Sequence, residues 1–232
     1  MTTVKICGFK DVETVKAVLH LPIDYIGFIL APSKRQVTPA LAGDMVRAVN
    51  ERRRTGAPAP LTAGVFVNPT EQQLAEALRE APLDIIQLHG AESPEFCRWV
   101  REMFGVRVYR VCSFAETEGA ASGQDGAQAV AAALDPYAGC VDGLLLDTVG
   151  GGTGKTFDWS RIPDYAAWAR RNGIPMLVAG GLDPDNVAEL IGAYAPDGVD
   201  VSSGVEMDGV KDVHKITAFV ERVKRHESHA NA

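Results

Sequence analysis

The sequence predicts an α/β fold, a single (β/α)8 TIM barrel with eight parallel strands. Short apolar runs and helix-like stretches alternate eight times, and 232 residues divided among eight units give about 29 residues each, the size of one strand–helix repeat. Strict alternation predicts a parallel sheet, and eight such units close into a barrel. The last two units each pass from a short strand through a glycine-bearing turn toward a helix, as expected of strands seven and eight in such a barrel.

The first four units each pair an apolar run with a residue suited to begin a helix. Asp11 is placed to cap the first helix, Thr38-Pro39 to begin the second, Asn68 or Thr70 to cap the third and Ser93-Pro94 to begin the fourth. The second run is nearly continuous in apolar residues, which is typical of a strand covered on both faces. The four predicted strands are Val4–Cys7, Tyr25–Leu30, Leu61–Val67 and Ile85–Leu88.

The second half repeats the pattern, with longer loops. Between the fifth strand and its helix, residues 113–128 form a segment longer than expected, whose role the sequence leaves open. We predict a catalytic barrel domain over residues 1–225 and a disordered tail over residues 226–232. The predicted strands are Val106–Val111, Gly143–Leu146, Met176–Ala179 and Val199–Val201, and the predicted helices are Ala127–Leu134, Tyr165–Arg171, one between strands seven and eight, and one from about Val213 to Arg225.

Composition excludes several classes of function. The formal net charge is −7 and no basic stripe occurs, which argues against a nucleic-acid partner. No segment has the length and apolar character of a signal peptide or a membrane span. The four cysteines form no C-x-x-C pair and have no accompanying histidine cluster, so neither a zinc site nor a disulfide framework is predicted. We expect a reduced, cytoplasmic setting.

The spacing of glycines in the sequence argues against two alternative interpretations, an open doubly wound sheet and a nucleotide-binding P-loop. An open doubly wound sheet would place its ligand near the first glycine turn, but Cys7-Gly8-Phe9 lacks the G-x-G-x-x-G pattern. The run Gly150–Thr156 resembles a nucleotide-binding P-loop, yet that pattern requires Gly where position 149 is Val. The glycine-rich loop 149–156 is better interpreted as a lid over the barrel mouth.

A functional site is expected where the strands end, because the carboxyl ends of the strands carry the active site in such barrels. The polar and glycine residues at these ends are Cys7, Arg35, Asn68, Gln87, His89, Asp147, Gly180, Gly181, Ser202 and Ser203. They include a thiol, a carboxylate and a guanidinium. The two glycine turns bring helix N-termini and closely approaching backbone together, which predicts an anion cradle.

Position alone leaves the role of the individual side chains open. Cys7 fits a nucleophile or general base, or a small buried apolar residue. Asp147 fits a general acid with a pKa raised by burial, or a turn-forming residue before the glycines. Arg35 fits a carboxylate-binding residue or a solvated charge, and His89 a base or a hydrogen-bonded loop residue. The other three cysteines are predicted to be buried structural residues.

Taken together, seven segments resemble the phosphoribosylanthranilate isomerase family of tryptophan biosynthesis. They occur in family order from the first strand to the last helix and cover nearly the whole barrel. The matching segments are KICG (5–8), APSKRQV (31–37), GVFVN (64–68), IQLHG (86–90), LLLDTVGGGTGKTFDW (144–159), AGGLDPDNV (179–187) and GVDVSSGVE (198–206).

The resemblance implies an Amadori rearrangement of an N-aryl ribosylamine 5-phosphate, with no metal and no organic cofactor. It implies that Asp147 is the general acid and Cys7 the general base. Arg35 would hold the anthranilate carboxylate, and Gln87 and His89 would contact the substrate. The implied phosphate-binding residues are Gly180, Gly181, Ser202 and Ser203, with Asp200 at the rim of the cradle.

Two other classes of function remain as alternatives. One is a related phosphate-binding barrel enzyme such as indoleglycerol phosphate synthase, whose chemistry uses a lysine acid and a glutamate. The lysine of the first strand, Lys5, shares a face with Cys7 but is expected deeper in the barrel. The other is a phosphate-ligand sensor that uses only the anion cradle. The oligomeric state, monomer or homodimer, is not determined by the sequence.

Overall fold

In the computed structural model of the protein, which describes residues 2–113, 124–147 and 159–230, eight parallel strands close into a barrel in chain order. The predicted (β/α)8 fold is confirmed. The strands are β1 (Thr3–Cys7), β2 (Tyr25–Ile29), β3 (Leu61–Phe66), β4 (Ile85–Leu88), β5 (Arg107–Ser113), β6 (Gly143–Asp147), β7 (Met176–Val178) and β8 (Gly198–Val201). The helices are α1 (Val12–Val18), α2 (Pro39–Arg54), α3 (Glu71–Glu80), α4 (Pro94–Phe104), α5 (Gln124–Leu134), α6 (Ile162–Arg171), α7 (Val187–Tyr194) and α8 (Val213–Ala230).

Side-chain caps fix the beginnings of the early helices. Asp11 accepts a hydrogen bond from the Thr14 amide at α1, and Thr38 caps α2 with Pro39 in its first turn. Of the two candidates for α3, Thr70 is the cap, and its hydroxyl and the Gln73 side chain form a reciprocal capping box. Local chemistry therefore determines where these helices start, and packing determines which face they bury.

Alternation along the strands separates two apolar cores. A large core lies between the strands and the helices, whereas a small one fills the barrel interior. Because side chains in a strand point alternately to opposite faces, every second residue faces inward. The inward-facing apolar residues are Tyr25, Ala63, Ile85, Tyr109, Val111, Leu145, Leu177 and Ala179.

A buried ion pair lies at the seam where the barrel closes. Lys5 on β1 is the register partner of Asp200 on β8, and its Nζ lies 2.9 Å from Asp200 Oδ2. Both side chains are almost completely buried. Burial alone would lower the pKa of Lys5, but attraction to Asp200 offsets this, so the pKa lies above its ordinary value.

Beyond β8 the chain forms elements that the sequence did not predict. A short 3-10 turn, Ser203–Val205, leads into an antiparallel ribbon of β9 (Glu206–Met207) and β10 (Val210–Lys211). Helix α8 extends to Ala230, past the boundary at Arg225 that the sequence predicted, and residues 231–232 lie outside the described part of the chain. Most of the predicted long loop 113–128, and all of the predicted lid 149–156, also lie outside it. No described helix is both long enough and apolar enough to cross a membrane.

We expect Lys5→Met to lower the free energy of unfolding by about 3–5 kcal/mol, since it leaves Asp200 as an uncompensated buried charge. The change is measured by urea denaturation at constant m-value. The matched control is Lys16→Met, which removes an exposed ion pair with Glu13 and should change stability by less than about 1 kcal/mol. Equal effects of the two substitutions would show that the buried pair contributes no more than a surface pair.

Candidate active site

A cavity of about 410 Å³ opens at the carboxyl ends of the strands. This is the end of the barrel at which the sequence predicted a site, and polar side chains line it on several sides. The structure brings together all but one of the predicted site residues here, the exception being Asn68. The lining residues include Cys7, Arg35, Gln87, His89, Asp147, Gly180, Gly181, Asp200, Ser202 and Ser203.

The Cys7 side chain ends β1 and faces the cavity. Its register partner on β2 is Gly27, where an added Cβ would lie only 2.8 Å from the Cys7 sulfur. The glycine thus makes the space that the thiol occupies. Burial raises the pKa of the Cys7 thiol above its ordinary value of 9.0, while the nearby Lys5 and Lys211 ammonium groups act in the opposite direction.

The other three cysteines lie away from the cavity. Cys97, Cys112 and Cys140 have no exposed surface, in agreement with their prediction as buried structural residues. Desolvation raises the pKa of Cys97 to about 12. Cys7 is therefore the cysteine that a small molecule entering the barrel mouth would meet.

Asp147 is the last residue of β6 and lines the same cavity as Cys7. It is 8% exposed, and its position follows three fully buried leucines. Two residues earlier, Leu145 belongs to the barrel interior, so alternation also directs Asp147 inward. Asp200 interacts electrostatically with both Asp147 and Cys7, so the three side chains lie near one another.

Arg35 belongs to the loop after β2 and forms a bidentate ion pair with Glu206. Arg35 Nε lies 2.7 Å from Glu206 Oε1, and Nη2 lies 2.9 Å from Oε2. Lys211 Nζ lies 2.6 Å from the same Oε1 atom. Gly8 has a φ of +87°, a backbone conformation that other residues rarely adopt. An added Cβ at this position would also lie 2.8 Å from Arg35 Cδ, so the turn requires glycine for both reasons.

The two glycine turns after β7 and β8 lie against each other. Gly180 and Gly181 have φ values of +90° and +64°. The Asn186 side chain donates a hydrogen bond of 2.8 Å to the Gly181 carbonyl and so holds this turn. On the other side, a Cβ on Gly204 would overlap the Leu182 carbonyl. The backbones of the two turns therefore touch, as an anion cradle shared between them requires.

The resemblance implied that Asp200 lies at the rim of the anion cradle, and Asp200 does line the same cavity as the two glycine turns. Its Oδ2 atom accepts a hydrogen bond of 2.9 Å from Lys5 Nζ inside the barrel. A phosphate contact of Asp200 stays a prediction. The Oδ1 atom of Asp200 and Oε1 of Gln87 are buried acceptors with no hydrogen-bond donor among the described residues. Both residues line the cavity and are available to a ligand donor.

His89 lies at the mouth just beyond β4. Desolvation lowers its pKa below the ordinary value of 6.5, and the charge of Lys5 acts in the same direction. The imidazole is therefore neutral at pH 7 and offers one donor and one acceptor. It therefore adds no positive charge to the cavity.

Three charged residues next to the cavity were not among the site residues that the sequence predicted. Glu206 and Lys211 lie on the ribbon after β8, whose course depends on contacts that sequence spacing does not reveal. Lys5 and Cys7 are two residues apart on β1, so they lie on the same face of the strand. This spacing was the one sequence signal that could have indicated the place of Lys5. Among the described residues, no group of three or more His, Cys, Asp or Glu side chains is arranged to hold a metal ion.

Comparison with known proteins identifies one family. The family described as N-(5'-phosphoribosyl)anthranilate (PRA) isomerase matches residues 4–222. An N-(5'-phosphoribosyl)anthranilate isomerase of Brevibacillus brevis is 46% identical over 236 residues, which cover 100% of this chain and 97% of the relative.

Solved structures of the same family superpose closely on the barrel. Monomers derived from the dimeric phosphoribosylanthranilate isomerase of Thermotoga maritima give a TM-score of 0.73 at 33% identity, covering 97% of this chain and 100% of that one. A phosphoribosyl anthranilate isomerase in complex with reduced 1-(o-carboxyphenylamino)-1-deoxyribulose 5-phosphate gives a TM-score of 0.74 at 31% identity, with the same coverage.

We expect iodoacetamide to modify Cys7 at least about tenfold faster than the other three cysteines, because those react only after the fold opens. The labelled peptides are identified by mass spectrometry, and Cys7→Ala should remove the fast phase. Since burial raises the pKa of Cys7, its thiolate fraction is small at neutral pH. The rate should therefore continue to rise with pH beyond 9, whereas a plateau near pH 8 would contradict the raised pKa.

Proposed function

Because the chain belongs to the N-(5'-phosphoribosyl)anthranilate isomerase family, we propose that it catalyses the Amadori rearrangement of phosphoribosylanthranilate to 1-(2-carboxyphenylamino)-1-deoxyribulose 5-phosphate. This is a step of tryptophan biosynthesis. The single observation that carries the proposal is that Cys7, Asp147, Arg35 and both glycine turns line one cavity. An acid, a base and two anion-binding groups are the parts that this isomerisation requires.

Ring opening is the first chemical step. Asp147 in its protonated form donates a proton to the furanose ring oxygen. The bond between that oxygen and C1′ breaks as the aryl amine nitrogen supplies its electron pair, which gives a protonated Schiff base. Asp147 is suited to this step because it is buried at the end of β6 and faces the cavity.

Proton removal from C2′ is the second step. Cys7 as a thiolate takes this proton, and the electrons of the C–H bond form an enolamine that then tautomerises to the ketone. Burial makes the Cys7 thiolate a stronger base by raising the pKa of the thiol, and Lys5 and Lys211 stabilise the anion when it forms. The mechanism consists of proton transfers and the opening of one C–O bond, and it needs neither a metal nor an organic cofactor.

Two anchors hold the substrate between the acid and the base. The phosphate binds at the turns that carry Gly180 and Gly181, and Ser202 and Ser203, where backbone N–H groups are brought together. At the other end, Arg35 binds the anthranilate carboxylate. Holding both ends positions the ribose and so lowers the entropic part of the barrier.

Uncharged contacts complete the site. Gln87 Oε1 and Asp200 Oδ1 lack donors among the described residues, and we assign them to the hydroxyl groups of the opened sugar. His89, neutral at pH 7, contacts the substrate as a hydrogen-bonding group rather than as a cation. We propose a small-molecule substrate as the partner, with neither nucleic acid nor membrane. The enzyme would act in the cytoplasm as a monomer or a homodimer.

We expect Cys7→Ala and Asp147→Asn each to lower kcat by about 10²–10⁴-fold, which is the usual contribution of a general acid or base. Turnover is followed by the fluorescence of the anthranilate group, and circular dichroism checks that the fold is retained. Near-normal turnover by either folded variant would refute its assigned role. Release of carbon dioxide by the wild-type protein would instead indicate the decarboxylating chemistry of indoleglycerol phosphate synthase.

We expect kcat/KM to fall at alkaline pH, with the pH of this decrease determined by the pKa of Cys7. The productive enzyme carries one proton on Asp147 and none on Cys7, so the pair holds a single proton in total. Activity then falls as that last proton is lost, with an apparent pKa above the ordinary value of 9.0. In Cys7→Asp the alkaline decrease in kcat/KM should shift to a pH at least about 2 units lower, because a carboxyl group has a much lower pKa than a thiol. If the alkaline decrease occurs at the same pH in the variant and the wild type, it results from the titration of another group.

A further inference from the structure

Among the described residues, the ion pair between Arg35 and Glu206 leaves part of the guanidinium without a hydrogen-bond acceptor. Glu206 engages the edge formed by Nε and Nη2, at 2.7 and 2.9 Å. A guanidinium carries five N–H donors in one plane. With respect to the part of the chain that the structure describes, the edge formed by Nη1 and the second hydrogen of Nη2 is available for another planar carboxylate, bound in the same bidentate way.

Glu206 is itself held rigidly. It lies on the ribbon of β9 and β10, where Lys211 is its direct register partner. Lys211 Nζ lies 2.6 Å from Glu206 Oε1 and 3.0 Å from the Ser202 carbonyl oxygen, and its side chain is only 1% exposed. Lys211 thus ties the carboxylate that orients Arg35 to the glycine turn after β8.

Charge balance explains why this arrangement is stable. Burial would raise the pKa of Glu206, but its hydrogen bonds and charge interactions with Arg35 and Lys211 lower the pKa to about 2. Glu206 is therefore an anion throughout the working pH range, and it binds two cations. The formal charges of Arg35, Lys211 and Glu206 leave one net positive charge in this cluster of three residues.

We propose that Glu206 is a positioning residue that selects the substrate: it fixes the Arg35 guanidinium so that its free edge accepts the ring carboxylate of the N-aryl ribosylamine phosphate. This inference rests on the proposed function and deepens it. Without Glu206 the flexible Arg35 side chain loses its orientation, and Lys211 loses its partner. The effect should then be confined to ligands that carry the carboxylate.

Two stable ligands make the test independent of turnover. One is reduced 1-(o-carboxyphenylamino)-1-deoxyribulose 5-phosphate, and the other is the same molecule without the ring carboxylate. In Glu206→Gln, calorimetric titration should show binding of the first weakened by about 10- to 100-fold, the usual effect of losing a hydrogen bond between charged groups. Binding of the second should stay within about twofold of the wild type.

Kinetics provide a second readout of the same role. With phosphoribosylanthranilate as substrate, Glu206→Gln should raise KM more than it lowers kcat, because the carboxylate contact is made in the ground state and the transition state alike. Glu206→Asp keeps the charge but is one methylene shorter, so it should lie between the wild type and Glu206→Gln. If Glu206→Gln fails to fold, this second variant carries the test.

A matched ion pair at the opposite end of the barrel serves as the control. Arg53 also forms two hydrogen bonds with a carboxylate, that of Asp84, at 3.2 and 2.6 Å. Asp84→Asn should lower stability but leave the affinity ratio of the two ligands unchanged. If Glu206→Gln weakens both ligands equally, or neither, the proposal is overturned. Failure of the wild type to convert phosphoribosylanthranilate would instead refute the proposed function itself.

Discussion

The contact on which the site depends is the closure of the barrel between its first and last strands. Pairing of β1 with β8 sets Lys5 opposite Asp200 and forms a buried ion pair beneath the cavity. The same register brings the turn after β8 beside Gly8 and Cys7. Because a buried charge without its partner is costly, this pair also disfavours a shifted register in which Lys5 would face an apolar residue.

Electrostatics in the cavity are governed by a competition between burial and neighbouring charge. At Cys7, burial is the larger effect, so its pKa is raised although two ammonium groups lie nearby. At Glu206 the balance is reversed, and its two cationic partners lower the pKa in spite of desolvation. Glu206 forms direct hydrogen bonds with two cations, and these direct partners explain why its pKa is lowered in spite of burial.

Glycines determine how closely the functional groups approach one another. Gly27 leaves space for the Cys7 sulfur, Gly8 leaves space for Arg35, and Gly204 lets the two turns of the anion cradle touch. At each of these positions an added Cβ would lie closer than 3.0 Å to a neighbouring atom. The same residue type therefore makes room for the thiol, for the guanidinium and for the contact between the two turns, because it has no side chain.

Much of this protein can be derived from its sequence alone. The eightfold alternation predicts the barrel, helix caps such as Asp11 and Thr38 are local, and strand ends indicate Cys7 and Asp147, because strand periodicity directs alternate side chains inward. The roles of Glu206, Lys211 and Asp200 could not be derived in this way. Their partners lie up to 195 residues away, and only the closed barrel and its ribbon bring them together. Periodicity and capping act within a few residues, whereas ion pairing acts through space, so the tertiary structure alone decides which charges meet.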